Sequence, residues 1–315
     1  VNETSVVKIH LDTDLGGDID DICALAMLLR WPGNVQLTGV TTVGEMDGRR
    51  AGQAKYVLGL EGKKDVPVAA GADNSQGFYP YELGLPPEER YWHEAVAPLP
   101  GSSEKAVQLL KESVEQGAAV IGIGPYTNLY LLENQYPGIL QNAKIFLMGG
   151  YVYPPREGFP QWANDSDFNV QVDVKSAKYV IEKSNPTLIP LSVTLETALR
   201  RKHLKKLRKA GVLGQLLARQ AEAFAEDEKM AEKVGKTCRK LPGDIINFQH
   251  DPLACAIALG WKDGLEIKTI PLKTELRDGL IHQKIDAGGK PTRIVTKVDG
   301  ERFSEFWVET VAGVV

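Results

Sequence analysis

The sequence predicts an α/β protein whose core is a mostly parallel β-sheet flanked by helices. Two observations carry this. Short runs rich in Val, Ile and Leu recur through residue 193, nearly continuous in apolar residues, as strands buried on both faces of a parallel sheet require. Longer amphipathic segments separate them, and such βαβα alternation marks crossover connections.

Taken in order, strands are expected at residues 6–11, 35–43, 66–70, 118–123, 145–148 and 188–193. Helices are expected near 20–30, 48–60, 103–116, 127–134 and 173–184. The second half changes character. Residues 197–235 are rich in Lys, Arg and Glu and predict helices; 251–259 predicts another. Residues 267–298 return to strand-like alternation. Ala287-Gly288-Gly289-Lys290, in the middle of 279–297, predicts a β-hairpin there. Residues 303–311 fit a helix or a strand. With no internal repeat and no low-complexity linker, one domain over residues 1–315 is expected.

The bulk composition narrows the classes. A chain of 315 residues, 43% hydrophobic and 25% charged, can bury a large core and matches soluble globular proteins. A net charge of -4 gives no support for a nucleic-acid or anionic-membrane partner, so neither is expected. Cys23, Cys238 and Cys255 are odd in number and form no CxxC pair, which argues against a disulfide framework or a thiolate metal site. Cys23 and Cys255 lie in apolar stretches and read as buried free thiols. No apolar run approaches the ~20 residues that span a bilayer. The chain starts at Val1 without Met, which leaves a processed leader or a trimmed start open. The residues present hold no signal-peptide pattern, and the cytoplasm is the favoured compartment.

The densest chemical signal follows the first strand. Asp12-Thr13-Asp14-Leu15-Gly16-Gly17-Asp18-Ile19-Asp20-Asp21 places five carboxylates in ten residues, ahead of an apolar helix. In open α/β sheets ligands sit beyond the carboxyl ends of strands, which is where this segment falls. Carboxylates packed so closely repel, and a hard cation with oxygen ligands, Ca²⁺ or Mg²⁺, relieves that repulsion. Gly16 and Gly17 let the loop turn tightly. Helix capping explains Asp20 and Asp21 but not the other three. An EF-hand loop counted from Asp12 has Gly17 at its sixth position. It then has Cys23 where a bidentate Glu is needed, and a strand instead of a helix before it.

A second piece lies far away, at Gln249-His250-Asp251-Pro252. Asp before Pro commonly opens a helix, with Asp as N-cap. Beside the N-terminal cluster, it is also a further carboxylate for the same metal.

These pieces, in this order, resemble the inosine-uridine-preferring nucleoside hydrolase family. Val40-Thr41-Thr42-Val43-Gly44 looks like its second-strand motif, and Ile123-Gly124-Pro125-Tyr126-Thr127-Asn128-Leu129 like its TGPLTN segment. Leu147-Met148-Gly149-Gly150 looks like its MGG turn. Asp167-Phe168-Asn169 with Val172-Asp173 resembles its EFN…VD segment, and Trp92-His93-Glu94 falls at its HGE-type loop. The ordered set spans residues 8 to about 260 and is far more specific than any one motif.

The resemblance implies a Rossmann-like nucleoside hydrolase fold and Ca²⁺-dependent cleavage of ribonucleosides to nucleobase and ribose. It implies Ca²⁺ held by Asp14, Asp21 and Asp251 with the backbone carbonyl of Ile123. Asp14 would also be the general base for a metal-bound water. Asp20 and Asn169 would bind ribose hydroxyls, Asp167 the 5′-hydroxyl end, and His250 the leaving base. His93 and Glu45 would complete the substrate pocket, and a homodimer or homotetramer is expected. Two departures stand out. The first motif is two residues longer than the shortest family form, which adds Asp18. Glu45 stands where better-known members have Asn near the sugar.

The chemistry suits these residues. Breaking a ribosyl C–N bond builds positive charge on the sugar, water must attack C1′, and the base must leave with a proton. Calcium acidifies water less than zinc does, so a separate base such as Asp14 is needed. His250 is a residue type that donates protons near neutral pH. Trp92, Tyr126, Tyr151, Tyr153, Phe159 and Trp162 are candidates to stack on the base, each weighed against ordinary packing. His10, inside a strand, is read as structural. The basic run at 200–209 is read as a solvated helix face, because acidic residues crowd 222–232. Two other classes compete. A Mg²⁺-dependent phosphohydrolase would want a phosphate cradle, and no P-loop pattern is present. A non-catalytic Ca²⁺-stabilised nucleoside- or sugar-binding protein would keep the carboxylates without turnover.

Overall fold

The computed structural model describes residues 6–74 and 84–313. Six strands, β1 (Val7–Thr13), β2 (Val35–Thr42), β3 (Val68–Ala70), β4 (Ala119–Gly122), β5 (Ile145–Met148) and β6 (Thr187–Ile189), pair in parallel in the order β3-β2-β1-β4-β5-β6. A two-stranded antiparallel ribbon joins β7 (Leu199–Arg200) to β8 (Ile245–Asn247). Three more strands, β9 (Glu266–Arg277), β10 (Leu280–Ile285) and β11 (Lys290–Lys297), extend the main sheet to nine: β11 runs parallel to β6, and β9 and β10 add an antiparallel edge.

The helices are α1 (Asp20–Leu29), α2 (Arg49–Leu60), α3 (Glu88–Tyr91), α4 (Ser103–Glu115), α5 (Thr127–Gln135), α6 (Ile139–Asn142), α7 (Phe168–Gln171), α8 (Val174–Lys183), α9 (Leu191–Thr194), α10 (Leu204–Leu207), α11 (Gly211–Glu228), α12 (His250–Ala258) and α13 (Gly300–Ala312). They cover both faces. Val120, Leu147 and Leu188 pack with α4, α5 and α8 in one core cluster. Their strand neighbours Ile121, Met148 and Ile189 pack with α1, α2, α11, α12 and α13 in the other. Successive strand residues point to opposite faces, so a sheet buried on both sides needs apolar residues at every position. The indole N–H of Trp307 donates to the Cys23 carbonyl at 3.1 Å and ties α13 to α1. Cys23 and Cys255 are buried free thiols, as expected.

Three expectations are corrected. The strand expected at 188–193 stops at Ile189, because Pro190 lacks an N–H for the ladder, and the residues after it form α9. The hairpin expected at 279–297 does not form. β10 and β11 both pair with β9, and the tight turn is Asp278-Gly279 between β9 and β10, with φ of 52° and 80°. Two positive φ values match a type I′ turn, whose twist suits hairpins. Residues 197–235 are not all helical, since β7 lies within them. Residues 303–311 are helical, within α13.

Four residues of the basic run form ion pairs: Arg200–Asp244, Lys202–Glu305, Lys206–Glu309 and Arg208–Glu222. Among the described residues no helix is long and apolar enough to cross a membrane.

Candidate active site and metal centre

The strand order reverses direction between β1 and β4, and such a switch point opens a crevice beyond the strand ends. The acidic segment lies there. Asp12, Thr13 and Asp14 leave the end of β1, and Asp20 and Asp21 form the first turn of α1. The N-cap of α1 is Ile19, which has no capping side chain, and Asp20 and Asp21 are the first two residues of the helix. Thr13 Oγ1 donates to Asp21 and accepts from the Leu15 N–H at 3.1 Å. Asp18 accepts from the Ile19 N–H and from Asn247 Nδ2, each at 2.5 Å, which ties the loop to β8. Gly16 has φ 109°, a backbone conformation that favours glycine over residues with a Cβ. Gly17 has no such constraint on φ.

Asp251 arrives from α12. Gln249, not Asp251, is the N-cap residue, which places Asp251 in the first turn with its carboxylate turned to α1. Its backbone N–H donates to Asp20 Oδ2 at 3.3 Å. Oxygens of Asp20, Asp21 and Asp251, all buried, lie within 4.8 Å of one another. Burial and mutual repulsion hold all three carboxyls well above the usual carboxylate range. Burial also raises Asp14, with the Arg50 charge opposing, and pushes Asp18 up to about 6. A compact set of oxygen donors that repel one another and gain from a positive charge is the chemistry a hard divalent cation fits. Asp21 and Asp251 belong to the expected ligand set. Asp20 joins them in this group, and Asp14 lines the same cavity.

The cavity measures about 470 Å³, within the range of small-molecule sites. Its lining combines Asp14, Asp18, Asp20, Asp21, Asp251 and Arg50 with the apolar Trp162, Phe168, Phe224, Met230 and Phe248. The Ile123 carbonyl, past the end of β4, accepts from Asn169 Nδ2 at 2.9 Å. Both residues line the cavity. His250 lines it too. Its Nδ1 is 2.6 Å from Thr194 Oγ1, and its ring lies 5.3 Å from that of Phe248. Burial lowers its pKa to about 4, so the ring is uncharged near neutral pH and is not the ready proton source its residue type suggests. A larger cleft, about 660 Å³, lined by Arg156, Glu196 and Lys240, gathers no comparable carboxylate set.

Three expected pocket residues stand apart from the cavity lining. Glu45 is buried, and its carboxylate accepts from Thr42 Oγ1 and from the N–H groups of Met46, Arg50 and Ala51. It therefore serves the N-terminus of α2, where negative charge is favoured. His93 is exposed. Asp167 is buried beneath, with Oδ2 accepting from the Gly150 N–H at 2.6 Å; Oδ1 has no partner, and burial raises the group to about 7. Of the six candidate stacking aromatics only Trp162 lines the cavity. Trp92 packs edge-on against Tyr56, the Tyr126 hydroxyl donates to the Met148 carbonyl, and the Tyr151 hydroxyl to that of Trp162. Phe159 sits between Arg156 and Lys240, and Tyr153 is exposed. His10 is buried between Ser113 and Thr41, a structural residue as expected.

Sequence reasoning missed Arg50, Thr194, Phe224, Met230, Asn247 and Phe248. One of them left a signal. A basic pair, Arg49-Arg50, opens α2, where the helix dipole disfavours cations, and such a placement asks for a tertiary reason.

The pattern of the family described as inosine-uridine preferring nucleoside hydrolase matches residues 9–305. An uncharacterized protein of Schizosaccharomyces pombe is 33% identical over 205 residues, 60% of this chain and 62% of its own. The pyrimidine-specific ribonucleoside hydrolase RihA of Citrobacter koseri is 28% identical over 216 residues, 64% of this chain and 62% of its own. The chain thus spans about three fifths of the length of these two relatives. Among solved structures, a purine-preferring ribonucleoside hydrolase from Gardnerella vaginalis superposes with a TM-score of 0.77, covering 98% of each chain at 22% identity. At that identity the likeness shows a shared fold.

Proposed function

The chain belongs to the inosine-uridine preferring nucleoside hydrolase family, and on that premise we propose that it hydrolyses the N-glycosidic bond of ribonucleosides to nucleobase and ribose, with Ca²⁺ as cofactor. One observation carries the reading: Asp14, Asp20, Asp21 and Asp251, from distant parts of the chain, converge on one cavity at the β1/β4 switch point.

Asp21, Asp251, Asp14 and the Ile123 carbonyl would hold the ion, with Asp20 beside them. When bound, it would supply fixed positive charge that orients the attacking water and the vicinal ribose hydroxyls. Asp14 takes the proton from that water. Asp20 and Asn169 hydrogen-bond the ribose and hold C1′ in place. The carboxylates along this wall also favour the positive charge that grows on the sugar as the C–N bond breaks. The apolar lining, with Trp162, Phe224 and Phe248, covers the base and excludes water. His250, uncharged, lies against the departing base and hydrogen-bonds it through Nε2. Glu45 and His93 are left out of the pocket, and Asp167 supports its floor. A homodimer or homotetramer goes with the family reading, and analytical ultracentrifugation would read it.

The test is a panel of nucleosides incubated with the protein and Ca²⁺, with free base and free sugar separated by chromatography. Equal release of base and ribose, lost on chelation, is expected. Phosphate release from nucleotides without free base would install a phosphohydrolase instead. Ca²⁺ and nucleoside binding without any release would install a binding protein.

A further inference from the structure

Arg50 is among the largest fully buried side chains described, and it lies under the acidic loop. Its Nε donates to the Gly44 carbonyl at 2.8 Å, and its Nη1 to the carbonyls of Leu15, at 3.1 Å, and Asp14. One guanidinium thus joins the segment after β2 to the segment after β1. A Cβ placed on Gly17 would lie 3.6 Å from Nη1, which puts Gly17 beside the group. Arg50 also lines the cavity, as the one Arg or Lys among the described residues that do.

Helix formation does not explain this. Arg50 sits in the first turn of α2, where the dipole disfavours a cation, and Glu45 already satisfies that turn's N–H groups. Burying a guanidinium is unfavourable unless its donors are satisfied and opposite charge lies near. Here the backbone carbonyls and the Asp14 and Asp21 carboxylates meet both conditions. The fork also suits several acceptors at fixed angles in a way an ammonium does not.

We propose that Arg50 is a positioning residue of the site: it locks the Asp14–Leu15 backbone against the end of β2, so that the acidic loop keeps its cation-binding shape before a cation arrives. This rests on the reading of the acidic loop as the cation site and Asp14 as a working carboxylate. Its consequence is preorganisation: the loop that carries the carboxylates is held at Asp14 and Leu15 by one permanent charge, which also opposes the repulsion on Asp14 and Asp21.

The test uses the full chain, wild type, Arg50→Lys, Arg50→Gln, and Arg49→Gln as the exposed control. Ca²⁺ affinity is measured by calorimetry. The number of waters on bound Tb³⁺ is counted from its luminescence lifetimes in H₂O and D₂O. In Arg50→Lys we expect Ca²⁺ affinity to fall about tenfold or more, the range seen when a group orienting metal ligands is lost. At least one extra water on Tb³⁺ is expected, and a fall in kcat with KM little changed. Arg49→Gln should match wild type. Unchanged affinity and hydration in a folded Arg50→Lys would overturn the proposal. If both Arg50 variants fail to fold, hydrogen exchange on the wild type decides. Equal protection of residues 14–19 with and without Ca²⁺ is expected, and loss of that protection on chelation overturns the idea. Neither metal binding nor exchange depends on turnover. A wild-type protein that cleaves no nucleoside therefore refutes the hydrolase reading and leaves this test standing.

Discussion

Thr194 Oγ1 lies 2.6 Å from His250 Nδ1, across 56 residues of chain, and fixes which edge of the imidazole is left for the cavity. Thr194 is fully buried and also reaches the Leu191 carbonyl at 3.1 Å. The carbonyl can only accept, so the hydroxyl proton goes to Leu191 and the ring nitrogen donates to Oγ1. Nδ1 then carries the ring hydrogen, and Nε2 is left as an acceptor toward the cavity. Thr194→Val keeps the shape but leaves Nδ1 unpaired, a loss of about 1–3 kcal/mol at a buried group. We expect kcat to drop about tenfold or more, with Thr194→Ser close to wild type. Equal kinetics for the Val and Ser variants would detach Thr194 from the reaction.

Asp14→Asn should preserve the fold and remove the proton acceptor. The expected loss in kcat is about 10²- to 10⁴-fold, the usual worth of a positioned base. Circular dichroism checks the fold, and near-normal turnover would take the base assignment away from Asp14.

Removing the metal should stop hydrolysis and leave the carboxylates in conflict. After EDTA treatment we expect activity to vanish and Ca²⁺ to restore it, while Asp251→Asn needs far more Ca²⁺ for the same rate. Full activity in protein shown metal-free by elemental analysis would remove the ion from the mechanism.

Stability should depend on pH through His10. Burial lowers its pKa to about 3, below the usual 6.5, so the unfolded chain binds the proton that the fold refuses. The contribution is complete above about pH 6.5 and is lost progressively as pH falls from there towards 3. Its full size is on the order of a few kcal/mol. Urea melts between pH 7 and 4 should show a shallower loss for His10→Gln than for wild type. Identical slopes would mean that other groups carry the acid sensitivity.

The parallel half of the fold was legible because its strands are buried on both faces. That leaves unbroken apolar runs such as residues 145–148, whose bounds agree with β5. The antiparallel edge was not. Alternation in 267–298 marks strands without saying which pairs with which. The Gly288-Gly289 turn drew attention from Asp278-Gly279, which closes the true hairpin. At the site, the lowered pKa of His250 was not legible from residue type, because burial is a property of everything packed around the ring. Glu45 was read as facing the sugar. Its four donors come from its own turn, a local arrangement that competes with any ligand.

What the sequence determined by itself is local. Five carboxylates between a strand end and a helix start must gather near one point, because ten residues cannot carry them far apart, and repulsion makes a cation their natural partner. The meeting of Asp20 with Asp251, 231 residues on, is tertiary. So are the burial of Arg50 beneath the loop, the turn of Thr194 onto His250, and the exposure of His93. Each depends on the order of strands in the sheet and on which face a side chain leaves its element. Residue spacing along the chain encodes neither, because packing between distant segments settles both.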